Sequence, residues 1–324
     1  MKNPAVEGTQ QPLQFHDRNR VRPDVGLTPF YVTPFGEAYV ADSAEIMAKL
    51  PENSVNLVLT SPPYALHFKK KYGNVSKQDY VQWFLTFARQ IRRILTSDGS
   101  FVLNIGGSWN PGAPTRSLYQ YKLLIELVDQ LGFHLAQEFY WYNPAKMPVP
   151  AEWVTVRRIR VRDAVEHVWW LSKSERPKAS NLKVLKPYSA DMIRLNQRGL
   201  RETVRPSGHV INKSWDKIKT EGAIPGNVFE QAPDDMLKFG NNAANDAYTL
   251  GCKERGLTIH PARYPTALPE FFIKMLTDEY DLVVDPFAGS NTTGAIAEKL
   301  LRHWIAVDQV EEYLEGSKFR FECF

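Results

Sequence analysis

Two stretches decide the fold: NLVLTSPPY (residues 56–64) and DLVVDPFAGSNTTG (281–294), each a short apolar run that stops at a turn. Runs of this length, apolar without alternation, read as strands buried on both faces, the pattern of a parallel sheet covered by helices. Working outward, AYVAD (38–42) reads as a strand and SAEIMAKL (43–50) as a helix capped by Ser43. An amphipathic helix is expected near 77–95, a strand at 100–105, a helix at 118–131, and strands at 134–142 and 164–171. The alternation fades from Ser172 and returns with EFFIKML after Pro269, the strand 281–285, a helix over 291–300, the strand HWIAVD (303–308) and a closing helix. The two outer segments therefore build one α/β sheet.

Between them, residues 175–259 carry scattered Pro, Gly, Asn and charge with only short apolar runs, which reads as a loop-rich insertion of the size of a small recognition domain. The expected organisation is a frayed polar tail (1–25), a first catalytic segment (26–174), the insertion (175–259) and a second catalytic segment (260–324). For 324 residues this agrees with roughly 100–200 residues per domain.

Composition excludes several classes. Apolar residues at 43% and charged residues at 23% rule against collagenous, largely disordered or disulfide-scaffold proteins. Cys252 and Cys323 alone are too few for a disulfide framework or a cysteine-based zinc site, so no metal is expected. No apolar run reaches the roughly 18–20 residues of a membrane span, and MKNPAVEGTQQPLQFHDRNR lacks a signal-peptide core, so a cytoplasmic protein is expected. Net charge is only +4, yet from Arg157 to Lys219 sixteen Lys and Arg face six Asp and Glu, leaving −6 for the rest of the chain. That basic stretch is interleaved with Trp169, Trp170, Tyr188, His209 and Trp215, a mixture suited to phosphates and bases.

Each deciding stretch ends in chemistry. Ligands of open α/β sheets bind beyond the carboxyl ends of strands, where Ser61-Pro62-Pro63-Tyr64 must lie. Consecutive prolines fix the backbone and remove two donors, leaving the Ser61 and Pro62 carbonyls as rigid acceptors beside a hydroxyl and an aromatic face. That set suits a planar amine. At the second strand end, Asp285 is followed by Phe287, Gly289, Ser290, Asn291 and Thr292, a small-residue turn opening a helix whose free N–H groups suit a nucleoside ligand. Gly289 and Gly294 have P-loop spacing, but Ala295 and Ile296 follow instead of Lys and Ser, and G-x-G-x-x-G is absent, which argues against triphosphate hydrolysis and dinucleotide binding. Asp308, at the end of HWIAVD, is placed to accept from ribose hydroxyls, and Asp42 is a further candidate beside a purine.

At these residues the chain resembles the DNA amino-methyltransferases that use S-adenosylmethionine, in the permuted group whose catalytic tetrad precedes the cofactor loop. TSPPY matches their catalytic motif in the Ser form of N4-cytosine enzymes, and DPFAGSNTTG matches their cofactor loop. HPARYPTALPEFF (260–272), with Pro265 and Thr266, matches the segment set against the methionine end of the cofactor. DAVEHVWWLSKSERPK and RPSGHVINKS are similar to the PvuII-type N4-cytosine group of restriction-modification systems. The resemblance implies a Rossmann-like, mostly parallel seven-stranded sheet and an inserted target-recognition domain. It also implies a flipped-out cytosine in duplex DNA as substrate, with a companion restriction endonuclease acting on the same site.

DNA phosphates would meet Arg157, Arg158, Arg160, Arg162 and Arg176, and base readout would fall to Arg205, Ser207, His209 and Lys213. The charged run His67 to Tyr72 reads as a closing loop or a solvated surface. N6-adenine transfer and a DNA-binding protein without turnover are the alternatives. Neither cysteine is placed for the covalent chemistry of C5-cytosine enzymes.

Overall fold

Strands that must be covered on both faces leave little choice of partner, and the computed structural model shows how this chain covers them. It describes residues 23–65, 75–144, 146–198, 203–204, 206, 210–211, 221–230 and 246–321. The first half runs β1 (Tyr31–Val32), β2 (Gly36–Val40), α1 (Ser43–Lys49), β3 (Val55–Thr60), α2 (Tyr80–Ile94), β4 (Leu95–Ile105), α3 (Tyr119–Asp129), β5 (His134–Tyr142) and β6 (Val165–Ser172). Then come α4 (Ala190–Arg198), β7 (Thr203–Val204), β8 (Val210–Ile211), β9 (Val228–Glu230) and α5 (Ala247–Glu254). The chain closes with α6 (Ala267–Leu276), β10 (Leu282–Asp285), α7 (Thr292–Lys299), β11 (His303–Asp308) and α8 (Glu311–Ser317).

One sheet is built in the order β1-β2-β11-β10-β3-β4-β6-β5-β9. β2, β11, β10, β3 and β4 are mutually parallel, and β6 lies antiparallel between β4 and β5. The seven longer strands match the expected count, with two- and three-residue strands added at either edge. Every residue of β3 is buried, Val58 against the layer of α1, α2 and α3 and Leu57 and Leu59 against the layer of α6 and α7. At about 1.5–3 kcal/mol for each fully buried aliphatic side chain, this two-sided burial sets the strand's position and register.

Two local readings change. The cap of α1 is Asp42, whose Oδ1 accepts from the Ala44 amide at 2.7 Å; Ser43 begins the helix and its hydroxyl donates to the Pro286 carbonyl. The stretch expected to stand apart from the sheet is tied to it at both ends. The Ser180 amide donates to Met275, Lys178 pairs with Asp278 and Asp281 at 2.7 Å, and β9 adds to the sheet alongside β5. Tyr248 and Cys252 of α5 pack with Phe319. α4, by contrast, buries none of its residues. Apolar positions spaced too irregularly to read as a core face are held here by ion pairs and edge pairing, which periodicity does not register. No helix among the described residues is long and apolar enough to cross a membrane.

Burial pushes the Asp278 carboxyl up, but hydrogen bonds and charge from Lys178 and Lys183 outweigh it and hold the group at about 2, below its ordinary 3.8. A depressed acid stabilises the fold above its unfolded-state value and loses that contribution as pH falls through its folded value. Asp278→Asn is therefore expected to cost about 1 kcal/mol at neutral pH, after discounting for solvent screening. The gap in calorimetric melting temperature from the wild type should close as pH is lowered toward 2.

Candidate active site

Because β10 pairs directly with β3, with Val284 beside Val58, the two turns that the sequence singles out leave the same edge of the sheet side by side. Asp285 joins them. Its Oδ1 accepts from the Thr60 hydroxyl at 2.7 Å and the Phe287 amide at 3.1 Å, and its Oδ2 from Thr293 at 2.6 Å and Tyr264 at 3.0 Å. Burial pushes the Asp285 carboxyl up, against the pull of these donors. With four donors around a carboxylate 2% exposed, Asp285 clamps the two strand ends together.

The glycine turn is fastened from the next strand. Gly289, at φ +52°, donates its amide to Asp308 Oδ2 at 2.8 Å, and Val310 donates to Oδ1 at 2.9 Å. A side chain at 289 would be strained at that φ and would meet the His260 ring at 2.9 Å. Burial raises the Asp308 carboxyl despite these amides. Asn291 caps α7: its Oδ1 accepts from the Gly294 amide at 3.0 Å and its amide nitrogen donates to Tyr31. Pro265 and Thr266 lead into α6, Thr266 as its N-cap, with the Pro265 carbonyl accepting from the Leu268 amide.

A cavity of about 660 Å³ opens at this edge and is shared by both turns. Ser61, Pro62, Pro63 and Tyr64 line one part of it, and Asp42, Phe287, Ser290, Thr292 and Asp308 another. Trp83 and Phe87 from α2 complete an aromatic wall around Phe287, with ring centroids 5.8 and 5.0 Å from it. Asp285, Gly289, Asn291, Pro265 and Thr266 are not among the residues that line it.

Among the lining residues that were not anticipated, Glu166, Lys146 and Asn104 gather around Tyr64. Glu166 is the second residue of β6, the antiparallel strand, and so lies at the edge where the parallel strands end. Its Oε2 accepts from the Tyr64 hydroxyl at 2.9 Å and its Oε1 pairs with Lys146 at 2.8 Å. Asn104 of β4 donates to the Tyr64 oxygen at 3.3 Å, and Ser61 Oγ lies 3.3 Å from that same oxygen. Burial, then the Glu166 charge, pushes the Tyr64 phenol well above its ordinary range. The available signals were a lone acid within AVEHVWWL and a lone amide within FVLNIGG.

The DNA methylase family pattern matches residues 55–319. This chain belongs to the DNA methylase family. The Type II methyltransferase M.PvuII of Proteus hauseri is 48% identical over 299 residues, 91% of this chain and 86% of that protein. A solved structure described as PvuII DNA methyltransferase (cytosine-N4-specific) superposes with a TM-score of 0.73 at 43% identity, covering 91% of this chain and 89% of the other. The S-adenosyl-L-methionine complex of TTHA0409 from Thermus thermophilus shares the fold at 19% identity and TM-score 0.51, over 88% and 93% of the two chains.

In this DNA methylase the basic stretch divides. Arg157 pairs with Glu152 at 2.6 Å and lies over Trp153, and Arg158 is exposed, at φ +56°. Arg160 is held by Asp163, and Arg162 donates to the Pro144 and Lys146 carbonyls, so both brace the β5–β6 excursion that carries Lys146. Arg176 follows the far end of β6, where Lys178 donates to Asp98 at the start of β4, across the sheet from the cavity. Trp169 and Trp170 are core residues of β6. Arg205, Ser207, His209, Lys213, Trp215 and the run 67–72 lie outside the described residues.

Removing the Asp285 carboxylate would strand several buried donors, at about 1–3 kcal/mol for each group left unsatisfied. Asp285→Ala is expected to lose about 3 kcal/mol of unfolding free energy in denaturant titration, and Asp285→Asn less, since its amide oxygen still accepts. An Ala variant as stable as the wild type would show that the clamp carries nothing.

Proposed function

We propose that this methylase transfers a methyl group from S-adenosylmethionine to the exocyclic N4 amine of a cytosine flipped out of duplex DNA. The observation that carries the reading is the single cavity shared by the TSPPY turn and the glycine turn. Its volume is within the roughly 300–1,000 Å³ of small-molecule sites. Its side chains also suit the cofactor: Asp308 offers a carboxylate for ribose hydroxyls and Asp42 one beside the purine, Phe287 and Trp83 offer ring faces, and Ser290 and Thr292 offer hydroxyls. Bound there, S-adenosylmethionine supplies a methyl group on a sulfonium, an electrophile that needs no metal.

The chain's part is to make a poor nucleophile attack. The N4 lone pair is delocalised into the ring, so density must be drawn onto nitrogen as the bond forms. Ser61 Oγ and the Pro62 carbonyl, held by the two prolines, accept from the two N4 hydrogens and meet the positive charge that develops there. Flipping the base costs roughly a few kcal/mol. Stacking on Tyr64 returns about 1–3 kcal/mol of it.

DNA enters from the side of Arg157 and Arg158, with Arg205, Ser207, His209 and Lys213 of the insertion assigned to readout. Contacts of this kind weaken steeply with salt. The likeness to a Type II methyltransferase supports a restriction-modification role in the cytoplasm, with an endonuclease that cuts the same site as the partner. The described cysteine, Cys252, is buried beneath Tyr248 and Phe319, and burial pushes its thiol up, the opposite of what a nucleophile needs.

Mass spectrometry of nucleosides from DNA methylated by the protein is expected to show 4-methylcytosine; 6-methyladenine in its place would overturn the N4 assignment. Replacing both cysteines by Ser should leave turnover within about threefold, whereas covalent catalysis would lose several orders of magnitude. Tyr64→Ala is expected to retain cofactor binding in a calorimeter and to lose most turnover on duplex DNA.

A further inference from the structure

Methylation leaves the amine nitrogen with a proton to lose, and a serine hydroxyl at neutral pH cannot keep it. Behind Ser61 stands a chain of groups with a fixed direction. A carboxylate only accepts, so Tyr64, 2.9 Å from Glu166 Oε2, must donate its one hydrogen there. The Tyr64 oxygen is then an acceptor, toward Ser61 Oγ at 3.3 Å and the Asn104 amide at 3.3 Å. Ser61 therefore turns its own hydrogen toward Tyr64; the Asn104 amide also donates to Ser61 Oγ at 3.5 Å, which leaves one lone pair for an incoming amine. Lys146 holds the other carboxylate oxygen, Glu166 Oε1, at 2.8 Å.

We propose, resting on the N4-amine reading above, that Glu166 sets the polarity of the Ser61–Tyr64 hydrogen-bond chain and is the terminal acceptor of the proton released on methylation. The atoms balance as follows. The nitrogen–carbon bond forms as the carbon–sulfur bond breaks with its electrons left on sulfur, and the nitrogen becomes cationic. One N–H proton passes to Ser61 Oγ, the Ser61 proton to Tyr64 Oη, and the Tyr64 proton to Glu166 Oε2, which becomes a neutral acid. The Glu166 side chain is 13% exposed and Lys146 26%, which opens a route from the carboxyl back to water. The titratable groups facing the carboxylate are Lys146, Tyr64 and Tyr119. Glu166 acts through Tyr64 and does not touch the base, so it is a positioning residue and a proton sink.

The test is the kinetics of the full-length enzyme on duplex DNA that carries its site. In Glu166→Gln the amide oxygen is drawn to Lys146, so the NH2 faces Tyr64 and no carboxylate is left to take the proton; kcat is expected to fall about 100-fold, in the range of general-base losses. Cofactor affinity by calorimetry and KM for DNA should stay within about twofold. Glu166→Asp should recover at least a tenth of the wild-type kcat. Tyr64→Phe keeps the stacking ring and breaks the relay, so it should lose as much as Glu166→Gln, and the double variant should lose no more than either alone. A fully active Tyr64→Phe, additive losses in the double variant, or Glu166→Gln within threefold of wild type at every pH overturns the inference. If Glu166→Gln does not fold, Tyr64→Phe decides alone. Failure of the wild type to make 4-methylcytosine would instead sink the N4 reading.

Discussion

The buried carboxylate of Asp285 is the constraint on which the catalytic edge depends. It sits where two parallel strands stop, and its two oxygens collect hydroxyls from Thr60, Tyr264 and Thr293 and one amide. Burying an acid this deeply is costly unless each lone pair is used. Once each is used, the four groups that it binds cannot drift without leaving unsatisfied polar atoms in a dry interior. Thr60 precedes the proline turn, Phe287 and Thr293 flank the glycine turn, and Tyr264 belongs to the loop ahead of α6 that lines the cavity. One side chain thus sets the spacing between the place for an amine and the place for a methyl donor.

A second layer determines what that spacing can do. Asp308 holds the glycine turn open from the neighbouring strand, and Gly106 allows the Tyr64 ring an approach that any side chain at 106 would block, its Cβ falling 2.4 Å from the ring. The ring is therefore seated by backbone on one side and by Glu166 through its hydroxyl. The stacking platform and the hydrogen-bond relay proposed above both fall to this one residue, the fourth of the tetrad.

Much of this was legible in the residues. Unbroken apolar runs such as NLVLT and HWIAVD match the observed strands within a residue or two, because burial on both faces leaves no alternation to misread. The tetrad and the glycine turn were readable for a different reason: prolines and a left-handed glycine restrict the backbone locally. Less was legible where long-range partners decide. The role of Asp285 depends on Thr60, 225 residues away, and that of Glu166 on Tyr64, 102 residues away. Arg157, Arg160 and Arg176 look alike along the chain, yet one lies over a tryptophan, one braces a loop, and one stands at the far edge of the sheet.

By itself, then, the sequence determined the α/β class, the two strand ends that bear the chemistry, and the identity of the groups offered there, since each follows from burial and backbone restriction within a few residues. The tertiary structure alone decided which acid touches the cavity and which is sealed behind it, and that a strand reversed in the sheet brings Glu166 to the catalytic edge. Those outcomes depend on strand order, and strand order is a choice among packings of the whole chain that local spacing does not encode.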